Sequence, residues 1–227
     1  LLPFLEGIEM TDIPVARRLA KRARELANRA PNGELAERLQ LVAARGLFTS
    51  GEGADALPLL KPILKSSDEN RRYTAAVLAL DVLEVTNPAH AMIEPVLEIL
   101  ARSERSRIHR HDGREEPKQI TLARARVLRG GQLGFGGKEH LDALLELMEL
   151  EDIDKQRQGN TTLQAWGRMQ LNNILLDERA SRRLEGRARR AFSSEPPSNS
   201  LLRRFAGTEA AWNWLQGQAK LAKSNRS

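Results

Sequence analysis

The chain has 227 residues, with 36 Lys and Arg against 30 Asp and Glu, and it contains no cysteine. A chain of this length can bury one substantial core, or a continuous core that runs along a short stack of repeats. Without cysteine it has no disulfide framework, zinc–thiolate site or cysteine nucleophile. The net charge of +6 favours acidic partners, whether protein, phosphate or lipid headgroup.

The sequence predicts helices from end to end. Aromatic residues make up 4% of the chain, and Ala, Leu, Arg and Glu recur at helical spacing while no run of β-branched residues alternates. The first helix is predicted from an Asp12 cap to about Ala30, where Pro31 ends it. The further predicted helices, in chain order, are 34–48, 56–65, 69–85, 89–102, one that begins near Thr121, 139–151, 155–176 and 178–192.

The helix at 69–85 is predicted to lie at the centre of the helical stack. Within 73–85 only Thr74, Asp81 and Glu84 are polar. Because a helix that is apolar on all sides must be covered on several sides, we expect neighbouring helices before and after it to bury it.

A two-helix unit recurs in the middle of the chain. The apolar pattern at 59–64 returns at 92–97 and, more weakly, at 144–148. Each copy is followed by a second pattern that starts at a threonine, and these are Thr74, Thr121 and Thr162. Such self-similarity indicates stacked helix pairs and an all-α fold.

Residues 103–116 are predicted as an insertion between the two helices of one unit. The first-helix pattern repeats after 33 residues and the threonine pattern after 47, and this polar, charged stretch accounts for the difference. Insertions in repeats often collect on one face, so we expect a mobile polar loop there.

The predicted domain organisation is a helical-repeat domain at 1–192, a linker at 193–198, and a C-terminal capping helix with a polar tail at 199–227. The glycine-rich stretch 130–137 is predicted as a flexible connection. It does not match a phosphate-binding loop, because Gln132 stands where the first glycine should be and Glu139 stands where Ser or Thr should be.

The unit at 55–85 has a distinctive set of residues: Leu57-Pro58-Leu59-Leu60 in the first helix, Asp68 in the turn, Arg71-Arg72, and Ala75-Ala76 with Ala79-Leu80 in the second helix. With these residues the unit resembles a HEAT repeat. The resemblance implies a short α-solenoid, a right-handed stack of antiparallel helix pairs of the HEAT or armadillo kind. It also implies a curved scaffold that binds other macromolecules.

Two helices carry arginine-rich faces. On the first predicted helix, the basic residues fall within an arc of about 160°, opposite an apolar side. The residues on that helix are Arg17, Lys21 and Arg24, with Arg18, Arg22 and Arg29 beside them. On the helix at 178–192 they are Arg179, Arg182, Arg183, Arg187 and Arg190, with Arg189 beside them. Each face is interpreted either as a solvated surface or as a contact for an acidic partner or phosphate. The helix at 178–192 has the denser set of positive charges.

Other candidate sites have weaker patterns. His109, His111 and Asp112 form a tight cluster. A structural metal site needs about four ligands and the remaining ones are not evident, so we predict a polar insertion instead. The carboxylate pairs at 115–116 and 151–152 are expected in polar turns, where nothing raises a pKa. Trp212 and Trp214 cannot both face inward from one helix side, so one of them is a candidate interface residue. We predict no enzyme and no cofactor.

The opening segment carries two further expectations. Residues 1–5 are apolar but are stopped by Glu6, too short for a signal peptide, and no stretch approaches the roughly 18 apolar residues of a membrane span. We therefore expect an intracellular protein, cytoplasmic or nuclear, with no membrane span. Since the sequence opens on Leu1, we also expect a processed chain or a fragment of a longer protein.

The predicted function is a protein–protein interaction scaffold with a protein partner. The alternative is a nucleic-acid-binding helical repeat that contacts the phosphate backbone through its arginine faces. A weaker alternative is an enzyme of the DNA-repair glycosylase kind, which would need an aromatic-lined pocket with a carboxylate.

Overall fold

The protein is described by a computed structural model over residues 12–30, 32–86, 91–111, 115–158 and 164–193, with single residues at 197 and 202. Side chains are described at all of these positions except 154–158, 164, 165 and 168. Within these ranges the chain is all-α apart from one small hairpin, as predicted. Its helices are α1 (Ile13–Ala27), α2 (Gly33–Thr49), α3 (Gly53–Ile63), α4 (Glu69–Val85), α5 (Ile93–Arg102), α6 (Lys118–Leu133), α7 (Lys138–Gln158), α8 (Gln164–Leu176) and α9 (Glu178–Ala191).

The chain divides into two compact units, 1–128 and 129–227, and the division falls within α6. In the first unit consecutive helices pack together: α1 on α2, α2 on α3, and α4 on α2, α3 and α5. In the second unit α7, α8 and α9 pack against one another.

Helix α1 begins where its cap predicts. The Asp12 side chain accepts a hydrogen bond from the Val15 N–H at 3.0 Å, which satisfies one of the free donors of the first turn. The helix ends at Ala27, three residues before the predicted end, because the chain enters a turn at Asn28 and Arg29.

Helices α1 and α2 approach closely through small residues. The buried side of α1 consists of Ala16, Ala20, Ala23 and Ala27. A Cβ added to Gly46 of α2 would lie 2.7 Å from the Ala16 carbonyl oxygen and 2.9 Å from the Ala20 Cβ. The glycine therefore sets the distance between the two helices.

Helix α4 is covered on several sides, as predicted. Asp68 caps it through a 2.7 Å hydrogen bond from the Arg71 N–H, and the helix has the predicted bounds. Tyr73 and all residues from Ala75 to Leu83 are buried. The packing of α2, α3 and α5 against it accounts for this burial.

The prediction of a mobile polar loop at 103–116 is wrong. The chain forms β1 (Arg107–His109) and β2 (Glu115–Pro117), which pair antiparallel with Ile108 opposite Glu116. Ile108 and Glu116 are both fully buried. The charges of this segment suggested solvation, whereas Arg110 and Glu116 are paired inside the protein.

The prediction of a flexible connection at 130–137 is also wrong. Helix α6 continues through Gly130 and Gly131 to Leu133. A Cβ at Gly130 would lie 2.6 Å from the His140 Cα, so the glycine permits close contact with α7. Gly136 has φ of +65° in the turn that follows, a conformation that favours glycine.

Helix α7 is longer than predicted, since it continues to Gln158 without the expected break after Glu151. Glu151 is buried, so the expectation that the 151–152 pair lies in a polar turn is wrong. Helix α9 is capped by Asp177 and matches its predicted position. The predicted capping segment, with Trp212 and Trp214, lies outside the described residues apart from Leu202.

Candidate functional site

A cluster of five ionisable side chains is buried in the first unit, and we call it the buried ion cluster. Helix α4 contributes two of its carboxylates, the hairpin a guanidinium and a carboxylate, and α6 a second guanidinium. The members are Asp81, Glu84, Arg110, Glu116 and Arg124. Each of these side chains is at most 8% exposed.

Arg110 is the centre of the buried ion cluster. Its Nε donates to Asp81 Oδ1 at 2.5 Å, and its Nη1 donates to Glu116 Oε1 at 2.9 Å. Its Nη2 lies 2.8 Å from Glu84 Oε2. Arg124 lies 3.6 Å from both Glu84 and Glu116. Three carboxylates therefore surround two guanidiniums.

Burial and pairing shift two pKa values in the buried ion cluster. Desolvation raises the pKa of Glu84, and the opposing attraction of Arg110 and Arg124 is smaller. Desolvation lowers the pKa of Arg110, but Glu84, Asp81 and Glu116 together raise it by more, so it lies above its ordinary value. Arg110 is therefore charged at all physiological pH values.

The buried ion cluster fixes the hairpin to the helices. The backbone N–H of His111 donates to Asp81 Oδ2 at 2.9 Å, and Thr121 Oγ1 donates to Glu116 Oε1 at 2.7 Å. Each carboxylate pairs with a guanidinium, and these pairs connect the hairpin to α4 and α6. We call this arrangement a structural lock. Removing one partner of such a buried group leaves an uncompensated charge.

Sequence reasoning missed the buried ion cluster, although a signal was present. Asp81 and Glu84 are polar residues in a helix that is otherwise apolar on all sides. A carboxylate in such a helix needs a cationic partner from elsewhere in the chain. The expectation that the 115–116 pair lies in a polar turn is wrong, because Glu116 is fully buried.

The two histidines of the hairpin region have different surroundings. His109 Nε2 lies 3.6 Å from Glu115 at the surface. The ring of His111 lies 5.3 Å from the Phe48 ring, and its Nε2 is 3.2 Å from Thr49 Oγ1. Asp112 lies outside the described residues, and within those residues no three His or carboxylate side chains are placed to hold a metal ion.

The basic face of α1 is exposed along its whole length. Its residues are Arg17, Arg18, Lys21, Arg22 and Arg24, and Arg29 follows them in the turn after the helix. Arg17 lies 2.5 Å from Glu52, and Arg22 lies 3.1 Å from Glu25. Within the described part of the chain, the side chains of the other four make no ion pair or hydrogen bond.

The basic face of α9 is largely engaged within its own unit. Arg187 forms a bidentate pair with Asp142, with Nη2 2.5 Å from Oδ2, and Arg183 Nη1 donates to the Gly136 carbonyl at 3.2 Å. Arg182 and Arg189 each pair with a glutamate one helical turn earlier. Arg179 and Arg190 are exposed, and neither forms an ion pair with any described residue.

No protein-family model, curated protein or solved structure matches the chain. The HEAT-like resemblance of residues 55–85 therefore stays a prediction. Among the helices of the described ranges, none has the length and apolar character needed to cross a membrane.

Proposed function

We propose that the chain is a protein–protein interaction scaffold and that the basic face of α1 binds an acidic segment of a partner protein. The observation that carries this proposal is the set of exposed cations without a counter-charge in the described residues. They are Arg18, Lys21, Arg24 and Arg29. A surface of one sign raises the local concentration of oppositely charged partners.

The two arginine-rich faces differ in availability. On α9, the guanidinium of Arg187 holds an aspartate of its own unit, so a ligand of Arg187 would compete with an internal contact, and Arg183 gives one of its N–H donors to a turn. On α1, the cations are exposed, and among the described residues only Arg17 pairs with a residue outside the helix, Glu52 just before α3. The structure therefore favours α1, although α9 has the denser run of arginine in the sequence.

Helix α1 is also rigidly mounted. Its alanine side packs against α2, and Gly46 allows the two backbones to approach closely. Leu19 packs against the same cluster of buried residues, so the backbone that carries the basic face is held in place by α2.

The second candidate function is binding of the nucleic-acid backbone. The same four cations favour it, because Lys and Arg neutralise phosphates without contacting bases. The sequence of α1 contains no aromatic residue, so it offers no platform for stacking single-stranded bases. This absence disfavours single-stranded nucleic acid and leaves the duplex backbone as the alternative to the acidic protein partner.

The test compares two polyanions on one protein. Fluorescently labelled polyglutamate and duplex DNA are titrated with the chain between about 50 and 300 mM salt. We expect polyglutamate to bind more tightly than the duplex at equal salt. An Arg18→Glu/Lys21→Glu variant should bind at least about tenfold more weakly and show a shallower salt dependence.

The matched control is Lys61→Glu/Lys65→Glu, which changes the net charge equally at exposed positions in and just after α3. It should bind like the wild type. Tighter binding of the duplex would support the second candidate instead. If neither polyanion binds, or if both double variants weaken binding equally, the basic face of α1 is not a binding site.

A further inference from the structure

In the second unit, the turn between α6 and α7 lies against the start of α9. Gly136 lies in the turn between α6 and α7, and a Cβ added there would lie 2.5 Å from the Cβ of Ala180 in α9. Arg183 Nη1 donates to the carbonyl of the same glycine at 3.2 Å. The start of α9 is therefore held against this turn.

Large apolar side chains are exposed on both sides of this contact. Leu133 is 62% exposed, Phe135 50% and Leu176 86%. The first two flank the start of the turn, and Leu176 is the last residue of α8 before the Asp177 cap. A single exposed leucine is ordinary, but three large apolar side chains exposed in the segments that meet at this contact are a candidate interaction surface.

Two guanidiniums border these apolar side chains. Arg179 lies three residues after Leu176, is exposed, and has no ion pair among the described residues. Arg183 is exposed too, and its bond to Gly136 leaves further N–H donors available. A guanidinium is suited to bidentate contact with a carboxylate.

We propose that Leu133, Phe135, Leu176, Arg179 and Arg183 form an apolar–basic surface that binds an acidic amphipathic helix of a partner protein. The apolar side chains of that helix would cover Phe135 and Leu176, and its carboxylates would pair with Arg179 and Arg183. Charge complementarity selects an acidic partner over a basic one. The two carboxylates of the same turn are engaged within α9, since Asp177 accepts a hydrogen bond from the Ala180 N–H and Glu178 pairs with Arg182.

This surface belongs to a different unit from the basic face of α1, and it requires apolar as well as acidic groups in its partner. The two proposals can therefore fail separately. The Arg18→Glu/Lys21→Glu variant weakens acidic binding at α1, but it should still bind the leucine-striped probe described next more tightly than a comparison peptide that has the same charge and no stripe.

The probe is a labelled synthetic helical peptide of about 20 residues with leucine along one stripe and glutamate elsewhere. Two comparison peptides keep one property each: a leucine and lysine peptide keeps the stripe, and a serine and glutamate peptide keeps the charge. We expect the leucine and glutamate peptide to bind at least about tenfold more tightly than either.

Three variants test the surface itself. Leu176→Gln and Phe135→Ser should each weaken binding of the leucine and glutamate peptide by about tenfold, and Arg179→Glu should weaken it similarly and flatten its salt dependence. The matched controls are Val85→Gln and Lys61→Glu, which change an exposed apolar and an exposed basic residue in the first unit. Both should leave binding unchanged, and circular dichroism should show that every variant is folded.

Three results would overturn the proposal. The first is that the leucine and glutamate peptide binds no more tightly than the serine and glutamate peptide. The second is peptide binding that the surface variants leave unchanged. The third is binding of vesicles of equal parts phosphatidylcholine and phosphatidylserine that Leu176→Gln abolishes while the peptide does not bind, which would assign the surface to a membrane.

Discussion

Arg110 is the residue on which the hairpin depends. Its guanidinium engages carboxylates from α4 and from β2, and its side chain is wholly buried. Buried ion pairs are expensive to form, and breaking one by removing a single partner is more expensive still. The stability of this region should therefore respond strongly to a single substitution.

We predict that Arg110→Ala lowers the free energy of unfolding by about 3–5 kcal/mol. The reason is that Asp81 and Glu116 remain buried without a full counter-charge. Urea unfolding followed by circular dichroism measures the change. Arg107→Ala removes a guanidinium from the same hairpin, but one that is partly exposed and pairs with Glu115, so it should cost less than about 1 kcal/mol. Equal losses in the two variants would contradict a structural lock at Arg110.

His140 gives the second unit a dependence on pH. Its Nδ1 accepts a hydrogen bond from the Gly136 N–H at 3.1 Å, and burial lowers its pKa below 6.5. Because the unfolded chain takes up this proton at a higher pH than the folded chain does, the neutral ring stabilises the fold fully above about pH 6.5. This stabilisation is lost as the pH falls towards the lower pKa of the folded state.

We expect the wild type to lose stability between about pH 7.5 and pH 5, by no more than about 1.4 kcal/mol per pH unit from this residue. Urea unfolding at a series of pH values measures it. A His140→Phe variant should lack this component, whereas His109→Gln, which changes an exposed imidazole, should keep it. A His140→Phe variant with the wild-type pH dependence would show that the imidazole plays no part.

At the scale of elements, glycine acts in two opposite ways. Gly46 lies where α1 and α2 touch, while a Cβ at Gly186 of α9 would meet nothing within 4 Å. Added volume at the first position must push the helices apart. At the second it only restricts the unfolded chain and improves helix propensity.

Gly46→Ala should therefore destabilise the protein by about 1–3 kcal/mol, and Gly186→Ala should stabilise it by about 1 kcal/mol. Thermal and urea unfolding of both variants measures these two changes in the free energy of unfolding. If Gly46→Ala were neutral or stabilising, the close approach of α1 to α2 would be wrong.

The sequence predicted elements whose signals are local. Helix α4 has the predicted bounds because Asp68 caps it and its apolar run is continuous. The hairpin was missed because its cause is not local: Arg110 finds Asp81 at a separation of 29 residues. Gly130 and Gly136 suggested flexibility, since a glycine that permits close contact and a glycine in a loose linker are identical in a sequence.

At the scale of the whole molecule, the two units carry different fluorophores. All three tryptophans fall in the unit at 129–227, and the single tyrosine, Tyr73, falls in the unit at 1–128. Tryptophan fluorescence therefore reports on the second unit and tyrosine fluorescence on the first. Each unit can be perturbed by its own substitution.

We predict that Arg110→Ala shifts the tyrosine transition in urea more than the tryptophan transition. Gly136→Ala should do the reverse, because alanine is strained at φ of +65° and its Cβ would contact Ala180. Equal shifts of both transitions in each variant would show that the two units unfold as one.

The burial of Arg110 and Arg124 also sets the chemical reactivity of the chain. Phenylglyoxal, a reagent that modifies accessible guanidiniums, should label the outward arginines of α1 within minutes and spare these two. Their slow labelling in the native protein would then follow the opening of the hairpin. The rate of Arg110 modification, followed by mass spectrometry, thus measures how often the hairpin opens, which binding assays do not detect.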